Sequence, residues 1–259
     1  MALTSREIRA GLCGLGVEKG DALFVHSSLS SLGHVEGGAD TVVDALLDAV
    51  GPFGTLAVPT FTRYDEPYDP EESPSTVGAV TDAARTHEDA VRSIHPTKSI
   101  VVIGPDAAEL VADHAPANSL GIDSPLHRII QRGGRILLVG VDHTTNSALH
   151  VAERLAGMAY RDQKAETTTS VGNGIERVTV NQVHCSKGFE AISPLARHAG
   201  IVRMGQIGAA EVRLIEGEPL LDLAVELLEA EPGALLCSSP NCARCQYARE
   251  RIAASQEAG

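Results

Sequence analysis

Apolar and polar positions fall along this chain in two textures. In one, apolar residues run almost unbroken for five or six positions. In the other, they recur three and four apart. The first predicts strands buried on both faces, the second amphipathic helices. Residues 22–26, 55–59, 99–104 and 136–141 have the strand texture. Val42, Val43, Leu46, Leu47 and Val50 mark a helix over 39–50, entered through Gly37-Gly38 and ended by Gly51-Pro52. Thr4 with Glu7 three positions on predicts a capping box that opens a helix running to Leu15. Further helices are predicted over 79–86 and 107–114, and from Ser124-Pro125, with proline in the first turn, to Gln131. This alternation predicts an α/β fold with a central mostly parallel or mixed sheet flanked by helices on both faces.

Beyond residue 157 the texture changes. Residues 166–171 and 176–184, separated by Gly172-Asn173-Gly174, predict a hairpin. A helix over 188–198 broken by Pro194, short strands over 201–216, a helix over 222–231, a strand over 234–237 and a helix over 246–254 complete the chain. No linker, repeat or break in composition interrupts it. A single domain over 1–259, with a β-rich C-terminal portion in the same domain, is therefore expected.

Composition narrows the class. With 3% aromatic residues and no tryptophan, the core must be built from aliphatic side chains. A formal net charge of -13 argues against non-specific nucleic-acid binding and suits a cationic small molecule. No apolar run approaches the roughly 20 residues of a membrane span. The first residues lack a basic segment followed by an apolar one, so a cytoplasmic protein without membrane contact is expected. Oligomeric state is not legible. Five cysteines, three of them Cys237, Cys242 and Cys245, then suggest a metal rather than disulfides. Cys185 would complete a tetrahedral zinc site, with His184 as the alternative fourth ligand. The expectation is a structural zinc knuckle around 237–245.

The segment 134–157 carries the chemistry. An apolar strand meets a polar loop and then a helix, the place where open α/β sheets bind ligands. On that helix Asn146, His150, Glu153 and Arg154 share a face. His150 reads as a general base and Glu153 as the carboxylate that orients it. Glu153 would favour protonation of the imidazole and the helix N-terminus would oppose it, two influences of opposite sign. The serine-rich loop Ser27, Ser28, Leu29, Ser30 and Ser31, with the helix start after Gly37-Gly38, offers amides to a phosphate. It is neither a Walker loop nor a dinucleotide fingerprint. Residues 64–75, with Asp65, Glu66, Asp69, Glu71 and Glu72, read as a solvated loop or as a lid against a polycation. Asp65, Glu66 and Asn146 are the substrate-contact expectations. His95 would shape its loop or touch a cofactor and His143 would contact a ligand. His34, His87, His114, His127 and His198 read as surface or packing residues.

Several ordered segments carry a resemblance: VHSSLSSLG followed by GGADTVVDALLDAVGPFGTL, then RSIHPTKSIVVIG, ADHAPANSLGIDSPLHRI and ILLVGVDHTTNSALHVAERLA. In this order and spacing, over roughly residues 20–157, the chain resembles the aminoglycoside 3-N-acetyltransferases of the antibiotic acetyltransferase fold. The resemblance implies acetyl-CoA as donor and the 3-amino group of a 2-deoxystreptamine antibiotic as acceptor. It makes His150 and Glu153 the catalytic pair, and aligns the cofactor-binding loops with His26, Ser27, Ser28 and Leu29 and with His95 and Ser99. Thr144, Thr145 and Ser147 stand near as donors to a developing oxyanion. Cys13 lacks a basic neighbour, which favours direct transfer over a thiol relay. Two other readings are a same-fold acyltransferase acting on another amine metabolite, and a non-catalytic zinc-stabilised CoA-binding protein.

Overall fold

The computed structural model describes residues 2–172 and 174–258. Its strands are β1 (Ala22–Ser27), β2 (Thr55–Pro59), β3 (Val91–Arg92), β4 (Ile100–Ile103), β5 (Arg135–Val139), β6 (Lys164–Val171), β7 (Gly174–Asn181), β8 (Val202–Ile207) and β9 (Ala210–Glu216). The helices are α1 (Ser5–Leu15), α2 (Gly38–Val50), α3 (Ala79–Arg85), α4 (Ala107–Val111), α5 (Pro125–Gln131), α6 (Ala148–Leu155), α7 (Ser193–His198), α8 (Gly217–Ala230) and α9 (Ala243–Ala258). Seven strands form one sheet in the order β3-β4-β2-β1-β5-β9-β8, and β6 and β7 form a separate two-stranded sheet.

The sheet is mixed. β1 runs parallel to β2 and β5, whereas β4, β9 and β8 join antiparallel to their neighbours. Side chains alternate across a strand, so each strand feeds two cores. Phe24, Ile136 and Leu138 face the layer holding Leu126, Leu149 and Leu220. Leu23, Val25, Leu137 and Val139 face the layer of Ile8, Leu46 and Val80. Burial on both faces explains why these strands read as unbroken apolar runs. The β8–β9 pair adds the β-rich C-terminal portion to this same sheet.

Because β1, β2 and β5 are parallel, their carboxyl ends open on one side. The loops after them are tied together there. Gly140, at φ 64°, turns the chain out of β5 where a side chain would strike Ser31. In return the Ser31 hydroxyl donates to the Gly140 carbonyl at 3.0 Å.

Several predicted boundaries shift, each for a local reason. The helix predicted over 107–114 stops at Val111, since Ala112 is extended and Asp113 has φ 54°. That turn drives His114 inward, where Nδ1 meets the Ser93 hydroxyl at 2.8 Å. The strand predicted over 99–104 shortens to β4, and its partner β3, two residues long, had no readable pattern. Pro194 does not break a helix; it lies in the first turn of α7, after a 3-10 turn over Phe189–Ile192. Helices α8 and α9 begin earlier than the apolar spacing indicated. Residues 234–237 form turns rather than a strand, with the Ala234 amide on the Glu231 carbonyl and Leu236 on Gly233. β7 ends at Asn181, short of His184, and Asn173 of the predicted turn lies outside the described residues. Among the described residues, no helix is long and apolar enough to cross a membrane.

Candidate active site

The loop after β5 is a chain of caps. Asp142 Oδ1 accepts the Thr144 amide at 2.9 Å, and Asn146 Oδ1 accepts the Ala148 amide at 3.1 Å. These bonds satisfy amides at the start of α6 and fix how the helix leaves the strand end. Three residues apart on α6, His150 Nδ1 and Glu153 Oε2 lie 2.8 Å from each other. A carboxylate only accepts, so Nδ1 carries the proton and Nε2 is the basic nitrogen.

Glu153 is wholly buried. Its Oε1 accepts from the Tyr160 hydroxyl at 3.2 Å, and Arg161 Nε lies 3.7 Å from Oε2. Arg161 is itself buried and donates to the Ser119 and Leu120 carbonyls. Burial alone would raise the Glu153 carboxyl, but His150 and Arg161 outweigh it and hold it below the usual range. For His150, burial comes first and pushes it down to about 4. Glu153 opposes that shift, while Arg161 and Lys98 add to it. Thus the balance left open by the sequence is decided by burial. The resting imidazole is neutral, with an anionic partner that will stabilise it when it gains a proton.

Of these groups His150 borders a cavity of about 430 Å³. His26 and Ser27 line it from the end of β1, Phe61 and Tyr64 from the loop after β2, and Thr144 to Ser147 from the loop after β5. The far wall is Val183, His184, Ser186 and Arg244. His26 Nε2 accepts the Ser147 amide at 3.1 Å, so its basic nitrogen is taken. Burial, then His150 nearby, pushes it down to about 3. A wider groove of about 880 Å³ shares Ser27, Val77, Val141 and Thr145 with the cavity. It runs past Ser28, Leu29 and Ser30 to Gly38 at the start of α2 and Gly78 before α3. The hydroxyl of Ser27, at the junction, is buried without a protein partner.

Other expected contacts fall elsewhere. His95 and Ser99 are fully buried and line neither space. His95 Nδ1 accepts the Thr97 and Lys98 amides, and the Ser99 hydroxyl donates to the Thr60 carbonyl. They shape the turn that presents Lys98 to the cavity. Asp65 and Glu66 point outward and pair with Arg63 at 2.7 and 3.2 Å; only their neighbour Tyr64 lines the cavity. Asn146 lines it while its side chain caps α6. Arg154 leaves the predicted face to pair with exposed Asp162. His143 is buried beneath the loop, with Nδ1 3.2 Å from Asn146 Nδ2. Thr144 and Thr145 direct their hydroxyl protons at Asp142.

Two lining groups, Lys98 and Arg244, escaped sequence reasoning, and His184 was read only as an alternative metal ligand. Lys98 is pushed down to about 8 by burial, then by Arg244 and Arg161, and its Nζ sits 4.3 Å over the Phe61 ring. No periodicity could have marked it, because a turn places it there.

The buried histidines give the protein an acid weakness. Burial, first among the causes, pushes His26 down to about 3 and His114, His143 and His150 to about 4. An unfolded chain would protonate them near an ordinary value of about 6.5. Between those limits the unfolded state holds more protons, so stability falls as pH drops from about 6.5 towards about 4. The urea midpoint should be lower at pH 5 than at pH 7.5. His114→Asn, outside the cavity, should shrink that difference.

A buried imidazole–carboxylate pair at the strand ends of an α/β sheet, its imidazole on a cavity, has the chemistry of an enzyme site that can accept a proton. Comparison with known proteins narrows that class. The chain matches the aminoglycoside 3-N-acetyltransferase family over residues 24–229. It is 33% identical to aminoglycoside N(3)-acetyltransferase IX of Micromonospora chalcea, covering 88% of this chain and 94% of that one. It is 32% identical to aminoglycoside N(3)-acetyltransferase III of Serratia marcescens, with 89% and 99% covered. Among solved structures, the apoenzyme of aminoglycoside acetyltransferase AAC(3)-IVa superposes with a TM-score of 0.90 at 31% identity, over 97% of this chain and 98% of the other. AAC-IIIb, solved as a binary complex with CoASH, superposes at 0.82 with 28% identity, over 89% and 97%. This chain belongs to the aminoglycoside 3-N-acetyltransferase family, whose members are acyltransferases.

Proposed function

We propose that this protein transfers the acetyl group of acetyl-CoA directly to the 3-amino group of the 2-deoxystreptamine ring of an aminoglycoside. The observation that carries the mechanism is the neutral His150, its Nδ1 held by buried Glu153 and its ring on the cavity. Family membership and a relative solved with CoASH support the donor. Relatives solved with a gentamicin, apramycin or sisomicin support the acceptor; the first two complexes are of a His-to-Ala variant.

An acceptor amine is protonated near neutral pH and has no lone pair to attack with. His150 Nε2 removes the proton, and Glu153 stabilises the imidazolium. The amine then bonds to the acetyl carbon as the carbonyl electrons move onto oxygen. Ser27 and Ser147, whose positions border the thioester's path, are the proposed oxyanion donors. Collapse breaks the carbon–sulfur bond, the attacking nitrogen gives up its second proton to the departing sulfur so that CoA leaves as the thiol, and His150 returns its proton to solvent. The groove past Ser28 and Leu29 to the start of α2 takes the phosphate-bearing end of the donor, with His26 at its inner limit. Asn146 holds the start of α6 against the acceptor, and Asp65 and Glu66 at the outer mouth meet its ammonium groups. Cys185, Cys237, Cys242 and Cys245 are assigned a structural zinc. Use of acetyl-CoA implies work in the cytoplasm.

One observation favours a second reading. Lys98 and Arg244 line the cavity and no carboxylate does, among the described residues. That charge suits an amine less cationic than an aminoglycoside. Thiol release from acetyl-CoA over a panel of aminoglycosides and simple mono- and diamino acceptors separates the two. Turnover with aminoglycosides is expected; turnover restricted to acceptors without a deoxystreptamine ring would overturn the first reading.

A further inference from the structure

We propose that Cys185, Cys237, Cys242 and Cys245 hold a zinc ion that clamps the far wall of the catalytic cavity, so that metal occupancy sets how tightly the acyl acceptor binds. The four sulfurs lie within 4.8 Å of one another, three of the residues are buried and Cys242 is half-buried. A tetrahedral zinc thiolate with bonds of about 2.3 Å has sulfurs about 3.8 Å apart, so the cluster needs only a small contraction. An amide already points at one sulfur, Lys187 N to Cys185 Sγ at 3.5 Å, the kind of hydrogen bond a metal-bound sulfur accepts. The four cysteines form the ligand group by themselves, and His184, the other possible fourth ligand, has its Nε2 2.5 Å from the Tyr160 carbonyl. Four protein ligands leave no open position, so the ion is structural.

What the cluster joins gives it a role in the site. Cys185 comes from the segment after β7, and the other three from the turn before α9 and its first turn. His184 and Ser186 flank Cys185, and Arg244 sits between Cys242 and Cys245; all three line the cavity. The two segments meet closely, and Gly188 lies where a side chain would strike the backbone of Leu235 and Leu236. The His184 ring stacks on Tyr247 of α9 at 5.8 Å and meets the edge of Tyr160, whose hydroxyl reaches Glu153. Apart from these rings, the cysteine cluster has few apolar partners and forms its own small group. Thiolate–metal bonds therefore supply what packing does not. The clamp's effect on acceptor binding rests on the acetyl-transfer reading; the metal site does not.

The purified full chain should contain close to one zinc per molecule. Cobalt exchanged into it should give the near-ultraviolet sulfur-to-metal charge-transfer bands of a tetrahedral thiolate site, lost in Cys242→Ala. Stripping the metal should raise acceptor KM on the order of ten- to hundredfold, leave acetyl-CoA affinity unchanged, and be reversed by added zinc. It should also accelerate amide exchange in 182–188 and 243–247, a readout independent of turnover. A chain with no metal that takes up neither zinc nor cobalt overturns the site. Metal whose removal changes neither exchange in these segments nor acceptor KM overturns the clamp.

Discussion

Replacing His150 by alanine is expected to lower kcat by about 10²- to 10⁴-fold, the usual contribution of general-base catalysis. Acetyl-CoA affinity should stay as it is. The size follows from what His150 alone provides. Of the two other imidazoles on the cavity, His26 has its basic nitrogen occupied by the Ser147 amide and is pushed down to about 3, and His184 is turned by its Nε2 to the Tyr160 carbonyl and pushed down by burial. Lys98 is protonated at neutral pH, being pushed down only to about 8. Glu153 is sealed behind the imidazole, and against burial His150 and then Arg161 hold it below the usual carboxylate range. Of the lining imidazoles, His150 alone is hydrogen-bonded to a carboxylate. The groove of Ser28, Leu29 and the start of α2, proposed for the donor, is not lined by His150. The loss should therefore fall on turnover. Isothermal titration with acetyl-CoA beside steady-state rates checks both halves, and full turnover in the variant would remove His150 from the mechanism.

Replacing Arg161 by methionine is expected to cost about 3 kcal/mol of stability, the lower end of the range for breaking a buried ion pair from one side. Methionine nearly fills the space, so the loss would be electrostatic. Arg161 is almost wholly buried and donates to the carbonyls of Ser119 and Leu120. It also supplies the positive charge beside the Glu153 carboxylate. Without it, two carbonyls lose a donor and a buried anion loses its counter-charge. Arg161 also holds down the values of both His150 and Glu153. Any acid limb in the variant's rate profile should accordingly move to higher pH. Urea unfolding at pH 7.5 measures the first effect. A midpoint equal to wild type would show that the charge is already solvated.

The sheet and its helices were legible because burial on both faces writes itself as apolar runs, and amphipathic helices as three- and four-residue spacing. Thr4 and Glu7 show the capping box at both atoms, as the sequence indicated. The His150–Glu153 pair was legible for the same reason, since three residues on a helix suffice to bring both groups together. What failed was whatever a turn decides. His95 and Ser99 sit in a matching motif, yet their polar atoms fold inward to hold the backbone, and Lys98 between them takes the exposed place. Arg161 lies in a 3-10 turn eleven residues past His150, with no pattern linking it to Glu153. Arg154 shared the predicted helical face, but α6 ends at Leu155 and the side chain escapes to Asp162. The four cysteines were grouped by spacing alone, but only the fold shows that their neighbours Ser186 and Arg244 face the same cavity as His150.

The central claim is acetyl transfer to one amine, with His150 as the base. Incubating the purified chain with acetyl-CoA and gentamicin, and locating the new amide by two-dimensional NMR of the product, tests it most directly. A single acetyl group on the 3-nitrogen of the 2-deoxystreptamine ring, formed by the wild type and strongly slowed in His150→Ala, is the expected result. An acetyl group on any other nitrogen, or equal product from both proteins, would contradict it.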